Sequence, residues 1–124
     1  MFDKKIYGFE KLEVYNDARF YVKSIYELTT KFPDRERFGL ISQLQRATVS
    51  VITNIVEGTS RTSYKEKERF LEIAYGSLLE TFCQLQIAVD LGYIEQVELE
   101  KNQQQIDKIA NKLSALKRSY NVQR

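Results

Sequence analysis

The stretch SVITNIVEG, residues 50–58, sets a carboxamide and a carboxylate, Asn54 and Glu57, among Val51, Ile52, Ile55 and Val56. Arg46, Ser50, Asn54 and Glu57 follow one another at intervals of four, four and three, so on a helix they form one stripe. Carboxylates are the groups here able to run acid–base chemistry, and Glu57 with Glu80 is the pair an enzyme would use. The rest of the usual catalytic set is missing. The chain has no histidine and one cysteine, which removes Ser-His and Cys-His nucleophile pairs and the ordinary ligands of zinc, iron and copper. It has neither GxxxxGK[ST] nor GxGxxG to cradle a phosphate. The expectation is a protein that is not an enzyme and carries no cofactor and no metal.

On that expectation the stripe is structural. A polar group buried alone costs a few kcal/mol, so these four side chains should satisfy one another, neighbouring amides or a second subunit. Arg46 and Glu57 stand about 16 Å apart along a helix, too far to pair. Glu57 is expected to meet Arg61, Lys65 or Arg69, or an adjoining subunit.

A second kind of chemistry is phosphate recognition. Arg61, Lys65, Lys67 and Arg69 cluster in one connection, and Arg35 and Arg37 in an earlier one. Glu66 and Glu68 dilute the first cluster to +2 over residues 59–69, so a solvated loop competes with an RNA or DNA contact. Tyr64 beside it could stack on a base.

These groups must be held by one domain. A chain of 124 residues, 43% hydrophobic and 29% charged, has enough apolar sequence for one core. The net charge of +2 does not demand a polyanion. No apolar run approaches the ~18 residues of a membrane span, and the first residues show no secretory pattern. The lone Cys83 cannot form an internal disulfide, which fits a cytoplasmic location.

Apolar residues recur every three or four positions and no alternating strand pattern competes. The spacing predicts helices over about 10–31, 38–57, 64–91 and 96–120. Val14, Ala18, Tyr21, Ile25, Leu28 and Phe32 mark the core stripe of the first, which Pro33 ends. Gly58 is expected to cap the second in a left-handed conformation, and Gly92 to close the third. Ser63 and Glu66 fit a capping box at the start of the third. Leu99, Ile106, Ile109, Leu113 and Leu116 line the fourth, whose acids lie early and whose bases lie late: Lys108, Lys112, Lys117, Arg118 and Arg124. Four helices with short connections make an all-α, antiparallel, up-and-down four-helix bundle.

Two helices carry more apolar surface than one core needs. In the second, Leu40, Ile41, Leu44, Thr48, Val49, Val51, Ile52, Ile55 and Val56 span an arc of about 180°, nearly twice a single-core stripe. The third is equally broad, through Phe70, Ile73, Tyr75, Leu79 and Phe82. A second burial site follows, and another copy of the chain is its simplest source. The expected role is that of a homo-oligomeric accessory protein that binds RNA or DNA through its basic loop and helix-end residues. An oligomeric scaffold or protein-interaction module with no nucleic-acid binding is the alternative.

FEKLEVYNDAR (9–19), IYELTTKFPDRERFGLISQLQRA (25–47), SVITNIVEGTSR (50–61), RFLEIAYGSLLE (69–80) and QLQIAVDLGYI (84–94), in this order, resemble the 23S rRNA-intervening-sequence proteins of bacteria. The resemblance implies an up-and-down bundle assembling as a homopentamer. It also implies kinship with the accessory variability protein of diversity-generating retroelements, a basic pentamer that binds nucleic acid and partners a reverse transcriptase. Gln45 stands where the family often has a base, Ile52 where it has a proline, and Phe82 where it has an acid. These departures favour interface packing over polyanion binding.

Overall fold

The computed structural model describes residues 3–123, so Arg124 lies outside the described residues. The chain folds into α1 (Glu13–Thr29), α2 (Leu40–Ser60), α3 (Tyr64–Asp90) and α4 (Gln96–Gln123), with single 3-10 turns at Gly8–Lys11 and Asp34–Glu36 and no strand among the described residues. Each helix packs on the next in sequence and α4 closes on α1. Neighbours are antiparallel. Lys31 pairs with Glu98 and Asp17 with Lys112 across α1 and α4, while Ser50 meets Ser77 across α2 and α3. This is the expected four-helix bundle.

The first helix is shorter than the 10–31 expected. Leu12 is extended, with φ −77° and ψ 129°, and separates α1 from the preceding turn, where the Glu10 carboxylate accepts from the Tyr7 amide at 2.7 Å. At the other end the Thr30 hydroxyl donates to the Glu27 carbonyl at 2.6 Å, and Pro33 blocks continuation. The six residues of the α1 stripe are all buried, and Tyr21 and Ile25 are completely so. They meet Leu44, Val51 and Ile55 of α2, Leu71, Leu78 and Leu85 of α3, and Ile106, Ile109 and Leu113 of α4. Each such side chain contributes roughly 1.5–3 kcal/mol of transfer free energy.

Gly58 does not cap α2, which runs on to Ser60; the sole positive-φ residue among those described is Gly92, at 77°. The reason lies in the crossing of α2 over α3. A Cβ on Gly58 would stand 3.3 Å from both the Lys67 carbonyl oxygen and the Phe70 Cβ. The glycine is used for close approach instead of a left-handed turn. At Gly92 the expected termination holds: the Gly92 amide donates to the Val89 carbonyl and the Tyr93 amide to the Ala88 carbonyl, both at 2.9 Å. Ser63 caps α3 by accepting from the Glu66 amide at 3.2 Å, but the Glu66 carboxylate turns away to Arg69, so half of the capping box forms.

Candidate interaction surfaces

The bundle has two ends, and they divide the basic residues. Arg61, Lys65, Lys67 and Arg69 gather where α2 passes into α3, next to the close of α4. Arg35 and Arg37 lie at the opposite end, beside the α3–α4 connection, where the Arg35 guanidinium sits 5.8 Å from the Tyr93 ring. The 27 residues of α3 separate the two groups by about 40 Å. One ligand patch cannot use all six.

Most of the charge at the α2–α3 end is already engaged. Arg61 donates to Glu57 at 2.7 Å, one helical turn back, and Arg69 donates to Glu66 at 2.9 Å. Both guanidiniums lie over the Phe70 ring, at 4.7 and 4.5 Å. The bond from Arg69, with the Arg61 and Lys65 charges behind it, holds the Glu66 carboxyl below its usual range. Lys67 donates to the Thr59 carbonyl at 3.1 Å, satisfying an orphan acceptor at the end of α2, and its ammonium stands 5.5 Å from the Tyr120 ring. Lys65 is exposed. Lys117 and Arg118 of α4 reach the same end, and Lys117 pairs with Glu72 at 2.7 Å. These ion pairs are solvent-exposed and therefore weak and screenable, so a polyanion could displace them.

Glu36 organises the other end. Its carboxylate accepts from the Leu40 amide at 3.0 Å, capping α2, and from the Tyr93 hydroxyl at 2.7 Å. The Leu40 amide first, then the Tyr93 hydroxyl, favour its ionised form and hold the Glu36 carboxyl below the usual carboxylate range. Asp34, Asp90, Glu95 and Glu98 surround this end, which makes the setting of Arg35 and Arg37 an acidic one.

The stripe on α2 is exposed at its ends and half-buried in the middle. Arg46 and Glu57 are exposed; Ser50 and Asn54 are intermediate. The Asn54 amide donates to the Ser50 carbonyl at 2.8 Å and to its hydroxyl at 3.0 Å, and Ser50 reaches Ser77 of α3 at 2.9 Å. Glu57 meets Arg61, one of the three partners the spacing allows. Arg46 lines a shallow groove with Gln43, Ala47 and Glu80. Glu57 packs level with the start of α3, near Phe70, so Glu80 stands about 15 Å further along the axis. The two carboxylates do not share a site.

The surplus apolar surface is unequally covered. On α2, Ile41 and Ile52 pack partly against the chain's own core. On α3 it stays open: Ile73, Tyr75, Leu79 and Ile87 face solvent, with Leu79 at 45% and Ile87 at 42% exposure, and Leu91 follows just past the helix. The charges on this outer face are all acidic, Glu72, Glu80 and Asp90, since α3 holds no lysine or arginine after Arg69. On the opposite side of the bundle α1 exposes Arg19, Phe20, Lys23 and Tyr26. Sequence reasoning overlooks this last group. Two aromatics lying off the α1 core stripe and flanked by bases are the signal that marks it.

Among the described residues no helix is long and apolar enough to cross a membrane, and no cluster of three or more His, Cys, Asp or Glu could hold a metal ion. No curated protein matches the chain. A solved structure does, over 84% of this chain and 97% of its own, at a TM-score of 0.77 and 21% identity. It is a protein with unknown function from the S23 ribosomal protein family of Bacteroides thetaiotaomicron VPI-5482, and it shares the bundle fold. The family model of the 23S rRNA-intervening sequence protein matches residues 10–115, from the turn before α1 into the last third of α4, and the chain belongs to that family.

Proposed function

We propose that this chain is a non-enzymatic bundle that associates with further copies of itself and serves as an oligomeric scaffold. One observation supports the reading above others: the outer face of α3 leaves Ile73, Leu79 and Ile87 open to water along several turns of one helix. Several large apolar side chains left open on one helix suit a surface that another protein covers. Sedimentation equilibrium of the full chain at micromolar concentration tests this. The expected result is a multimer that falls to one chain in Leu79→Lys/Ile87→Lys. A wild-type monomer would overturn the reading.

A second reading, an accessory role in binding RNA or DNA, has its own support. Arg61, Lys65, Arg69, Lys117 and Arg118 share one end of the bundle with Tyr64 and Phe70, and the carboxylates paired with Arg61, Arg69 and Lys117 are exposed and replaceable. Phosphate contacts release counterions, so binding of structured RNA or duplex DNA should weaken steeply between low and moderate salt. Arg61→Ala with Arg69→Ala should reduce it, and Arg35→Ala with Arg37→Ala should not. Binding that ignores salt, or its absence at low salt, would eliminate this reading.

A further inference from the structure

The seam between α2 and α3 is built in layers, and one layer is left open. Ser50 and Ser77 hydrogen-bond at 2.9 Å across the two antiparallel helices, so residues equally far from that pair face each other. One turn on, Arg46 comes level with Glu80; a second turn on, Gln43 comes level with Gln84. Ala47, Ser50 and Ser77 make a floor of small side chains, and Gln43, Arg46 and Glu80 stand around it. The notch offers about 440 Å³, room for a small molecule.

Its two charges are opposite in sign, yet no ion pair joins them. Arg46 bonds to no other side chain among the described residues, so its guanidinium keeps all of its N–H donors for a ligand. Glu80 is held instead by a neighbour on its own helix. The Gln84 amide donates to the Glu80 carboxylate at 3.2 Å. Gln84 is 6% exposed, and its carbonyl oxygen is buried without a donor. Buried acceptors are nearly always bonded, so a stranded one calls for a reason. Holding Glu80 in place supplies that reason, since water alone would hydrate an exposed carboxylate and leave it free to rotate.

We propose that this notch binds a free α-amino acid, whose carboxylate pairs with the Arg46 guanidinium and whose ammonium pairs with the Glu80 carboxylate. The two charges of such a ligand are separated by a single carbon, and together they bridge the gap that Arg46 and Glu80 leave between them. Ser50 and Ser77 carry two hydroxyl protons and their mutual bond uses one, so a further donor remains at the floor. Gln84 is a positioning residue that fixes Glu80. The site lies in the seam of one chain and stands whether or not the chain associates with copies of itself.

Amide resonances of the isotope-labelled full chain, followed during titration with glycine, L-alanine and L-leucine, test this. Propionate and methylamine, each with one of the two charges, serve as controls. The amino acids should give saturable shifts in residues 43–50 and 77–84, and each control should bind roughly tenfold more weakly or worse. Arg46→Ala and Glu80→Gln should each weaken L-alanine binding by roughly tenfold or more. Arg46→Lys, which keeps the charge and loses the planar fork, should weaken it severalfold. Gln84→Met removes the stranded oxygen together with the amide, so it should keep or raise the urea midpoint and still weaken binding severalfold. A role in packing alone would leave binding untouched. No saturable binding of the three amino acids up to about 10 mM would overturn the proposal. So would binding that survives both Arg46→Ala and Glu80→Gln, or propionate that binds as tightly as L-alanine.

Discussion

The hydrogen bond between Tyr21 and Thr81 joins diagonal helices through a dry core, and its two ends should respond unequally to removal. The Thr81 hydroxyl already donates its single proton to the Leu78 carbonyl at 2.6 Å, so in the 2.8 Å contact Tyr21 is the donor. Burial also holds the Tyr21 hydroxyl protonated far above the usual tyrosine range. Tyr21→Phe deletes a donor and leaves the Thr81 hydroxyl still bonded to Leu78, a cost of about 1 kcal/mol. Thr81→Val keeps the side-chain shape but strands the Tyr21 hydroxyl without an acceptor, and that desolvation raises the cost to roughly 2–3 kcal/mol. The double variant removes both polar groups and should be more stable than Thr81→Val alone. Urea unfolding followed by far-ultraviolet circular dichroism, at one protein concentration throughout, reads these differences. Thermal midpoints should shift by roughly 4 °C per kcal/mol for a domain of this size. If Tyr21→Phe cost as much as Thr81→Val, or the two effects simply added, the assignment of donor and acceptor would be wrong.

Two glycines should respond to alanine with opposite signs. Gly58→Ala gains helix propensity but pushes a Cβ to 3.3 Å from the backbone of α3, so it should destabilise by about 1 kcal/mol, whereas Gly76→Ala meets open space and should stabilise by roughly 0.5–1 kcal/mol; urea midpoints distinguish them. Ser63→Ala removes the cap of α3 and should cost about 1 kcal/mol, measurable in the same way. Stability against pH should fall at both extremes. Glu36, Glu66 and Glu98 are lowered below 4.5 in the folded chain, so what they contribute is present above 4.5 and is lost as pH drops through their folded values. Lys112, raised above 10.5 by Asp17 and Glu13, and Tyr93, raised above 10.0 by its bond to Glu36, contribute below those values and lose it as pH rises past them. Stability that rises as pH falls below 4.5, or that rises at alkaline pH, would contradict the signs.

Periodicity made the bundle legible. The α1 core stripe and the residues Leu99, Ile106, Ile109 and Leu113 of α4 are buried where 3.6-residue spacing puts them, because one dry face is all a bundle helix has to supply. Gly58 was misread because glycine permits both a left-handed turn and a tight crossing, and the approach of Phe70 that decides between them is tertiary. The breadth of the apolar arcs was visible, but the wheel cannot say which part a neighbouring helix of the same chain covers. Ile52 turned out partly covered and Leu79 open. The basic residues were countable, yet their partition to two ends follows from which loops the antiparallel order brings together, and the engagement of Arg61 by Glu57 and of Lys67 by the Thr59 carbonyl depends on side-chain reach.

Glu36 has a consequence for the order in which the molecule becomes rigid. Its bond to the Leu40 amide spans four residues and can form as soon as α2 begins, while its bond to the Tyr93 hydroxyl spans 57 residues and must wait until α3 has folded back along α2. Gly39 tightens the coupling, since any Cβ there would lie 2.6 Å from the same carboxylate. The loop after α1 is therefore finished by the loop after α3. Amides at Leu40 and Tyr93 should exchange with solvent as one cooperative unit, opening together although more than fifty residues lie between them.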